Sequence, residues 1–231
     1  MPRRARNTKT TDSAHSLPIA PNEPGQDFSC DASAEFTSHA KTPDQVWLSD
    51  ITYLWIREGW CYVGAVPDLF SRRIVGWAMA EHMTRRLVLE ALHMARGTRK
   101  PPPGLIFHSD RGSQYASHEV REWLAGQTMR QPMSGTGNCC DNAPVESFWQ
   151  SLKVEETHGQ DVAKRAEAQH CVFGYIKGWY NTTRMHSSLG YQSPAQFEGR
   201  RGAHTIAAAN DDQAAISCND SQSVRLNKRA A

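Results

Sequence analysis

The stretch VWLSDITYLWIREGWCYVGAVPDLFSRRIVGWAMA, residues 46–80, contains three runs typical of β-strands. Residues 46–56, 60–66 and 72–80 are rich in β-branched and aromatic side chains, and the breaks between them contain Gly59 and the pair Pro67-Asp68. Because both connections are short, the stretch predicts an antiparallel meander of three sequential strands.

The residues that follow predict alternating helices and strands. Helices are predicted over residues 84–97, 117–127, 142–156 and 161–181, and strands over 105–109 and 129–133. Gly97 is expected to end the first helix, and Ser117 is expected to cap the second. The result is an α/β fold with a mixed five-stranded sheet flanked by helices. Its element order resembles that of the ribonuclease H-like fold.

The length and composition are those of one soluble domain. The chain has 231 residues, of which 39% are hydrophobic, and its 26 basic residues nearly balance its 24 acidic ones. This balance neither indicates nor excludes a nucleic-acid partner. We expect residues 1–43 to be a poorly ordered lead-in, residues 44–200 a folded core with its C-terminal helices, and residues 201–231 a flexible tail.

Targeting and metal-finger signals are not found in the sequence. No run approaches the roughly 18 apolar residues of a membrane span, and the N-terminus lacks the apolar core of a signal peptide, so we expect a cytoplasmic protein. The six cysteines form no CxxC pair, which favours reduced structural thiols over a zinc site.

Three carboxylates stand out at positions where chemistry is often placed. Asp50 interrupts an apolar strand, where a charge is costly unless it is paired or binds a cation. Asp110 follows the strand at 105–109, where it enters a loop that contains Gly112. Glu146 begins a polar helical stripe. That stripe, which continues through Gln150 and Lys153, lies beside a predicted buried stripe of Val145, Phe148, Trp149 and Leu152.

Each carboxylate alone has an ordinary alternative. Asp50 would cap a neighbouring loop, Asp110 would form a turn, and Glu146 would be a surface residue. Together they favour a different interpretation, because the first and fourth strands are adjacent in this fold and the helix of Glu146 packs across them. Three converging carboxylates repel one another unless divalent cations neutralise them, and oxygen ligands suit Mg²⁺ or Mn²⁺.

Five ordered motifs resemble the integrase-core transposases of bacterial insertion sequences, of the type translated from the second of two overlapping frames. They are WLSDITY, DLFSRRIVGW, HSDRGSQY, GNCCDNAPVESFW.SLK and WYN..R.HSSLGY.SPAQF. The 35 residues between Asp110 and Glu146 match the spacing of the last two acidic ligands in this superfamily. The resemblance implies that Asp50, Asp110 and Glu146 are a DDE triad that holds two Mg²⁺ or Mn²⁺ ions, with Asp50 bridging both.

The implied activity is metal-dependent cleavage and transfer of DNA strands during transposition, at the element ends and at target DNA, by a protein that is a homo-oligomer when active. Several polar residues are predicted to contact DNA, although each has a structural alternative such as a solvated side chain, a cap or a turn. These candidates are Lys153, Arg72, Arg73, Gln114, Tyr115, Asn142, Arg184 and His186.

The residues before the core are the main departure from the family pattern. Relatives place a helix-turn-helix-type region there, whereas about 43 irregular residues precede the core here, so we expect an N-terminally shortened chain. Two alternatives to the transposase therefore stay open: a nuclease of the same fold that only hydrolyses DNA, and a truncated non-catalytic remnant that binds DNA or regulates.

Overall fold

A computed structural model describes residues 40–110, 112–131, 143–157 and 162–200. Most of the predicted lead-in, the whole predicted tail and the Gly-rich stretch before Glu146 lie outside these ranges.

Four strands form the sheet of the described residues. Strands β1 (Val46–Ile56), β2 (Gly59–Pro67) and β3 (Ile74–Ala80) make the predicted antiparallel meander. Strand β4 (Ile106–Ser109) pairs with β1 in parallel, which gives the order β3-β2-β1-β4. A mixed sheet with adjacent first and fourth strands is therefore confirmed.

The predicted fifth strand is reduced to one isolated bridge in the described part of the chain. Arg130 forms an isolated parallel bridge to Ile106 on the outer side of β4. Residues 132 and 133, the end of the predicted strand, lie outside the described residues.

The α-helices of the described residues include α1 (Arg85–Arg99), α2 (His118–Gly126), α3 (Ala143–Leu152) and α4 (Arg165–Phe173), and residues 194–200 are also helical. Ser117 caps α2 as predicted, because its hydroxyl accepts from the Val120 N–H. The predicted stop at Gly97 is wrong, since α1 continues to Arg99 and ends where Lys100 adopts a left-handed conformation. Lys100 precedes Pro101, and a residue before proline is disfavoured in a helix.

The last two predicted helices change type along their length. Helix α3 continues as a π-helical turn over Lys153–Thr157, and α4 continues as a π-helical segment over Gly174–Tyr180. The periodicity of the sequence does not separate these wide turns from α-helix. The second π segment is closed by a bond from the Asn181 N–H to the Ile176 carbonyl.

The sheet separates two apolar layers. One layer joins β1 residues such as Trp47 and Ile51 to α1 and α2. The other joins Leu54 on β1 to α3, α4 and the π segment, with Phe148 and Trp149 among its members. Helix α3 therefore packs on the face of the sheet opposite α1 and α2.

The C-terminal segment is fixed to β3 by one side chain. The Asn181 amide donates to the Ile74 carbonyl at 3.0 Å and accepts from the Ile74 N–H at 2.9 Å. Asn181 is 2% exposed. The side chain thus satisfies two buried backbone groups at the start of the edge strand, where further strand pairing would otherwise be needed.

Candidate active site

Asp50 and Asp110 stand side by side because of the register of the parallel strand pair. The last paired residues of β1 and β4 are Ser49 and Ser109, and each is followed directly by one of the two aspartates. Strand β4 ends at Ser109, so Asp110 lies where the strand opens into a loop. Ligands and metals are commonly held at such strand ends in α/β proteins.

Helix α3 brings the third carboxylate to the same region. Its predicted buried stripe is confirmed, since Val145, Phe148, Trp149 and Leu152 are at most 5% exposed. The indole Nε1–H of Trp149 donates to Asp50 Oδ2 at 3.0 Å, which ties the helix directly to the first aspartate. Glu146 lies nearly one turn earlier on α3 and is exposed.

Asp110 and Glu146 both act electrostatically on Asp50. Burial, then the charge of Asp110 and to a smaller extent that of Glu146, together raise the pKa of Asp50 to about 7. Hydrogen bonds from the Ile51 N–H and from Trp149 oppose the rise in pKa. A half-buried aspartate that faces two other carboxylates is stabilised by a cation.

The loop after β4 is folded around Asp110. The Gly112 N–H donates to Asp110 Oδ1 at 2.9 Å. A Cβ atom at Gly112 would lie 3.0 Å from that oxygen and 2.9 Å from the Gln114 side-chain oxygen, so glycine permits this close approach. Asp110 therefore organises a turn, as its ordinary alternative predicted, at a position that also faces Asp50.

Tyr115 is buried close to the two aspartates and bonds to the residue before Asp50. Its hydroxyl shares a 3.0 Å hydrogen bond with Ser49 Oγ, and the side chain is 2% exposed. Burial, followed by the charges of Asp50 and Asp110, raises the pKa of Tyr115 well above its usual range, so the phenol stays neutral. DNA contact by Tyr115 stays a prediction, and the structure gives the ring an intramolecular role, buried against Phe107.

His108, on β4, is also buried beside the site. Burial lowers its pKa to about 4, so the imidazole is neutral at physiological pH. A neutral ring adds no positive charge to the carboxylates.

The fit of a metal ion depends on the donor set. Across residues 40–110, 112–131, 143–157 and 162–200, no three His, Cys, Asp or Glu side chains already form a ready metal-ion site. The donors that face one another are nevertheless carboxylates, which are the ligands that Mg²⁺ and Mn²⁺ prefer. Convergence of all three on one metal site stays a prediction, and the chemistry of the donors fits it.

Comparison with known proteins identifies the family. Two models described as integrase core domain match residues 40–139 and 146–201. The chain is 43% identical over 199 residues to an uncharacterized 31 kDa protein of insertion element IS600 from Shigella sonnei. It is 44% identical over 187 residues to the transposase InsF for insertion sequence IS3A from Escherichia coli. The chain belongs to the integrase-core family of insertion-sequence transposases.

The matched regions cover a larger share of this chain than of the two relatives. They include 86% and 81% of this chain, and they span 69% of the IS600 protein and 62% of InsF. The chain thus corresponds to about two-thirds of the length of these relatives.

Solved structures show the same integrase-core fold at low sequence identity. The simian T-cell lymphotropic virus intasome gives a TM-score of 0.57 at 15% identity, over 82% of this chain and 61% of that one. The HTLV-2 integrase catalytic core domain in complex with magnesium gives 0.52 at 13% identity, over 68% and 98%. These likenesses confirm the predicted ribonuclease H-like architecture. No helix among the described residues of this integrase-core chain has the length and apolarity needed to cross a bilayer.

Lys153, a predicted DNA contact of this integrase core, lies within electrostatic reach of Asp50. It begins the π-helical turn after α3, and its Nζ lies 4.8 Å from the centroid of the Tyr53 ring. Burial lowers the pKa of Lys153, and Asp50 acts in the opposite direction. The π-helical turn that continues the Glu146 helix therefore places this ammonium near Asp50.

Two predicted DNA-contacting arginines are engaged inside the protein. Arg73 donates to Glu198 at 2.8 Å. Arg184 pairs with Glu155 at 3.1 Å and donates to Ser151 Oγ at 2.8 Å. Phosphate contact by either stays a prediction, and the structure gives each guanidinium an intramolecular role.

The remaining predicted contacts are distributed around the fold. Gln114 donates to the Met83 carbonyl at 3.4 Å. Arg72 is partly buried, and burial lowers its pKa. His186 packs edge-on against Tyr180, and burial lowers its pKa to about 4. Asn142 lies outside the described residues.

A charged network centred on Glu198 was missed from the sequence. Glu198 accepts from Ser71, Arg73 and Arg99, so it ties residues 194–200, which are helical, to the turn after β2 and to the end of α1. Asp68, in the predicted break after the second strand, has no exposed surface and accepts from the Ser71 N–H in that turn. The partners are about 100 residues or more apart in sequence, so no local pattern links them.

The helix that carries Glu198 does have a sequence signal. Ser193 and Gln196 form reciprocal bonds, with the Gln196 N–H donating to Ser193 Oγ and the Ser193 N–H donating to Gln196 Oε1. This is a capping box, followed by Pro194 at the first helical position. The motif SPAQF thus predicts a helix start, although not its partners.

Proposed function

We propose that this chain contains the catalytic domain of a DDE transposase, which cleaves DNA strands and joins their 3′ ends to other phosphodiesters with the help of divalent cations. Asp50, Asp110 and Glu146 are its metal ligands. One observation carries the proposal: the Ser49–Ser109 register sets Asp50 beside Asp110, at the point where Trp149 of the Glu146 helix contacts Asp50.

The ligand set is argued from charge. Asp50 is the central member, because both other carboxylates raise its pKa. Keeping all three ionised together costs free energy that a Mg²⁺ or Mn²⁺ ion would remove. When bound, two such ions supply activation of the attacking oxygen and stabilisation of the leaving oxygen at a phosphodiester.

The residues around the triad have supporting roles in this proposal. Tyr115 stays neutral beneath the aspartates and holds Ser49, the residue before Asp50. Lys153, beside Asp50, offers an ammonium to a DNA phosphate next to the reacting one. No side chain is needed as a covalent nucleophile, since water and then a DNA 3′-OH attack phosphorus directly.

The partners follow from the same chemistry and from the relatives. The substrate class is DNA, at element ends and at target sites. The HTLV-2 integrase core is described with magnesium in trimeric and dimeric forms, and we propose that this chain likewise assembles as a homo-oligomer when active.

The test uses three single variants and a labelled DNA duplex. Asp50→Asn, Asp110→Asn and Glu146→Gln should each abolish Mg²⁺- or Mn²⁺-dependent nicking and joining, while circular dichroism and urea unfolding show a retained fold. The matched control is Glu122→Gln, which neutralises an exposed carboxylate on α2 away from the site. It should cleave like the parent protein.

Two outcomes would change the assignment. Full cleavage by Asp110→Asn or Glu146→Gln would contradict the triad. If the parent chain nicks an intact duplex but gives no joined products from a precut one, the nuclease that only hydrolyses is favoured. If the parent chain binds DNA without any cleavage, the non-catalytic remnant is favoured.

A further inference from the structure

One hydrogen bond at the acidic site joins the indole N–H of Trp149 to the carboxylate of Asp50. Trp149 Nε1 lies 3.0 Å from Asp50 Oδ2, and the indole is 5% exposed within the α3 layer. The ring packs against Phe148 at a centroid distance of 4.7 Å, so its orientation is set by the core. A donor on a rigid, buried ring fixes the position of the oxygen that it binds.

Burial alone does not explain this bond. Trp77, on β3, belongs to the same apolar layer and is 4% exposed. Its Nε1 is buried and has no hydrogen-bond partner within the described part of the chain. Among the described residues, the layer thus contains one indole N–H with a carboxylate partner and one with none, so the Trp149 bond reflects its position beside Asp50.

We propose that Trp149 is a positioning residue for metal binding: its indole N–H holds Oδ2 of Asp50 and so orients the carboxylate toward the cation. The inference rests on the proposed function. The terminal torsion of an aspartate is broad, so an unrestrained carboxylate samples many orientations. Donors behind a metal ligand restrict that rotation, and their loss typically lowers metal affinity or activity about 10- to 100-fold.

The position of Trp149 on α3 couples two ligands. Glu146 and Trp149 are three residues apart, so they are neighbours on the helix surface. One helix thus supplies a carboxylate of the triad and the donor that orients another. A shift of α3 would disturb both at once, which makes this helix the element on which the site geometry depends.

Calorimetric titration with Mg²⁺ and Mn²⁺ tests the inference on a matched pair of variants. Trp149→Phe removes the donor and keeps an aromatic ring, and Trp77→Phe makes the same truncation in the same layer at an N–H without a partner. We expect Trp149→Phe to bind metal about 10- to 100-fold more weakly and Trp77→Phe to bind like the parent. Raising the Mg²⁺ concentration should restore part of the DNA cleavage by Trp149→Phe.

Indole resonances in a ¹H–¹⁵N spectrum give a second readout in the parent protein. The chain has seven tryptophans, and the peak missing in Trp149→Phe assigns one of them. That peak should move on addition of Mg²⁺ in the parent and stay in place in Asp50→Asn. If Trp149→Phe does not fold, the comparison of the parent with Asp50→Asn still identifies the peak that responds through Asp50.

The outcomes separate this inference from the function on which it rests. Equal loss of affinity in both tryptophan variants would overturn it, because packing alone would then be responsible, and so would parent-like affinity in Trp149→Phe. Parent-like metal binding by Asp50→Asn would instead overturn the proposed metal site itself.

Discussion

Replacing Asp50 by Asn should stabilise the metal-free protein above neutral pH while it removes DNA cleavage. Burial, Asp110 and Glu146 raise the pKa of Asp50 to about 7, whereas an aspartate in an unfolded chain titrates near pH 4. Between these pH values the folded state holds a proton that the unfolded state has lost. The Asp50 contribution to the free energy of unfolding therefore falls as pH rises from about 4 to about 7, and the full cost is present above that window.

The size of the effect follows from the difference in pKa. A pKa that is about three higher in the folded state corresponds to about 4 kcal/mol. Asp50 is half-buried, and solvent screens part of this cost, so we expect about 2–3 kcal/mol at pH 8. Asn carries no charge, and its side-chain oxygen can still accept the Trp149 N–H, so the variant should avoid the cost without losing the contact.

Urea unfolding of both proteins in EDTA, from pH 5 to pH 8, measures the effect. Asp68, whose pKa burial raises to about 6, and His108, whose pKa burial lowers to about 4, also titrate in or near this range. They are common to both proteins, so the difference in unfolding free energy isolates Asp50. A difference that does not grow with pH, or an Asn variant less stable than the parent at pH 8, would refute the reasoning. Saturating Mg²⁺ should stabilise the parent at pH 8 and leave Asp50→Asn unchanged.

Three further predictions concern the neighbourhood of the site. Lys153→Ala should weaken DNA binding and lower the slope of log affinity against log salt by about 0.9, measured by fluorescence anisotropy at several salt concentrations. Its free energy of unfolding should change by less than about 0.5 kcal/mol. An unchanged salt slope would exclude a phosphate contact. Trp149→Ala should cost about 3–5 kcal/mol in urea unfolding, and a loss below about 1 kcal/mol would mean that the indole is not core. Asn181→Ala should cost about 2–4 kcal/mol, because the Ile74 N–H and carbonyl both lose their buried partner. Thr182→Ala, at an exposed neighbouring position, is its control, and equal losses in the two variants would contradict a special role for the amide.

Much of the site was predictable because its elements have strong periodicity. The β-branched and aromatic run of β1, the apolar run at β4 and the buried stripe of α3 are local patterns, and each predicted the element on which one candidate carboxylate lies. The adjacency of Asp50 and Asp110 followed from strand order alone. The bond from Trp149 to Asp50 did not, because periodicity distinguishes a buried face from an exposed one and contains no information about where an indole N–H points.

The predicted DNA contacts show what a sequence pattern does not distinguish. Arg73 and Arg184 are basic residues in recognisable motifs, and in sequence such residues look alike whether they face phosphate or an internal carboxylate. Their partners Glu198 and Glu155 are distant in sequence, by 125 and 29 residues. Tyr115 shows the same ambiguity, because an aromatic residue after a loop is as consistent with stacking on a base as with packing in the core next to Ser49, where the structure places it.

The C-terminal motif acts on the site through α3. Arg184 binds Ser151 in the last turn of that helix and Glu155 in the π-helical turn that follows it. Asn181 fixes the start of the same segment to β3, and Tyr180 packs edge-on against Phe148 at 4.8 Å. Helix α3 carries Glu146 and Trp149, and Lys153 follows it directly. The contacts that restrain the end of α3 therefore also restrain the position of Glu146 relative to Asp50 and Asp110. The motif at residues 179–197 therefore restrains the helix that carries Glu146, and with it the geometry of the proposed site.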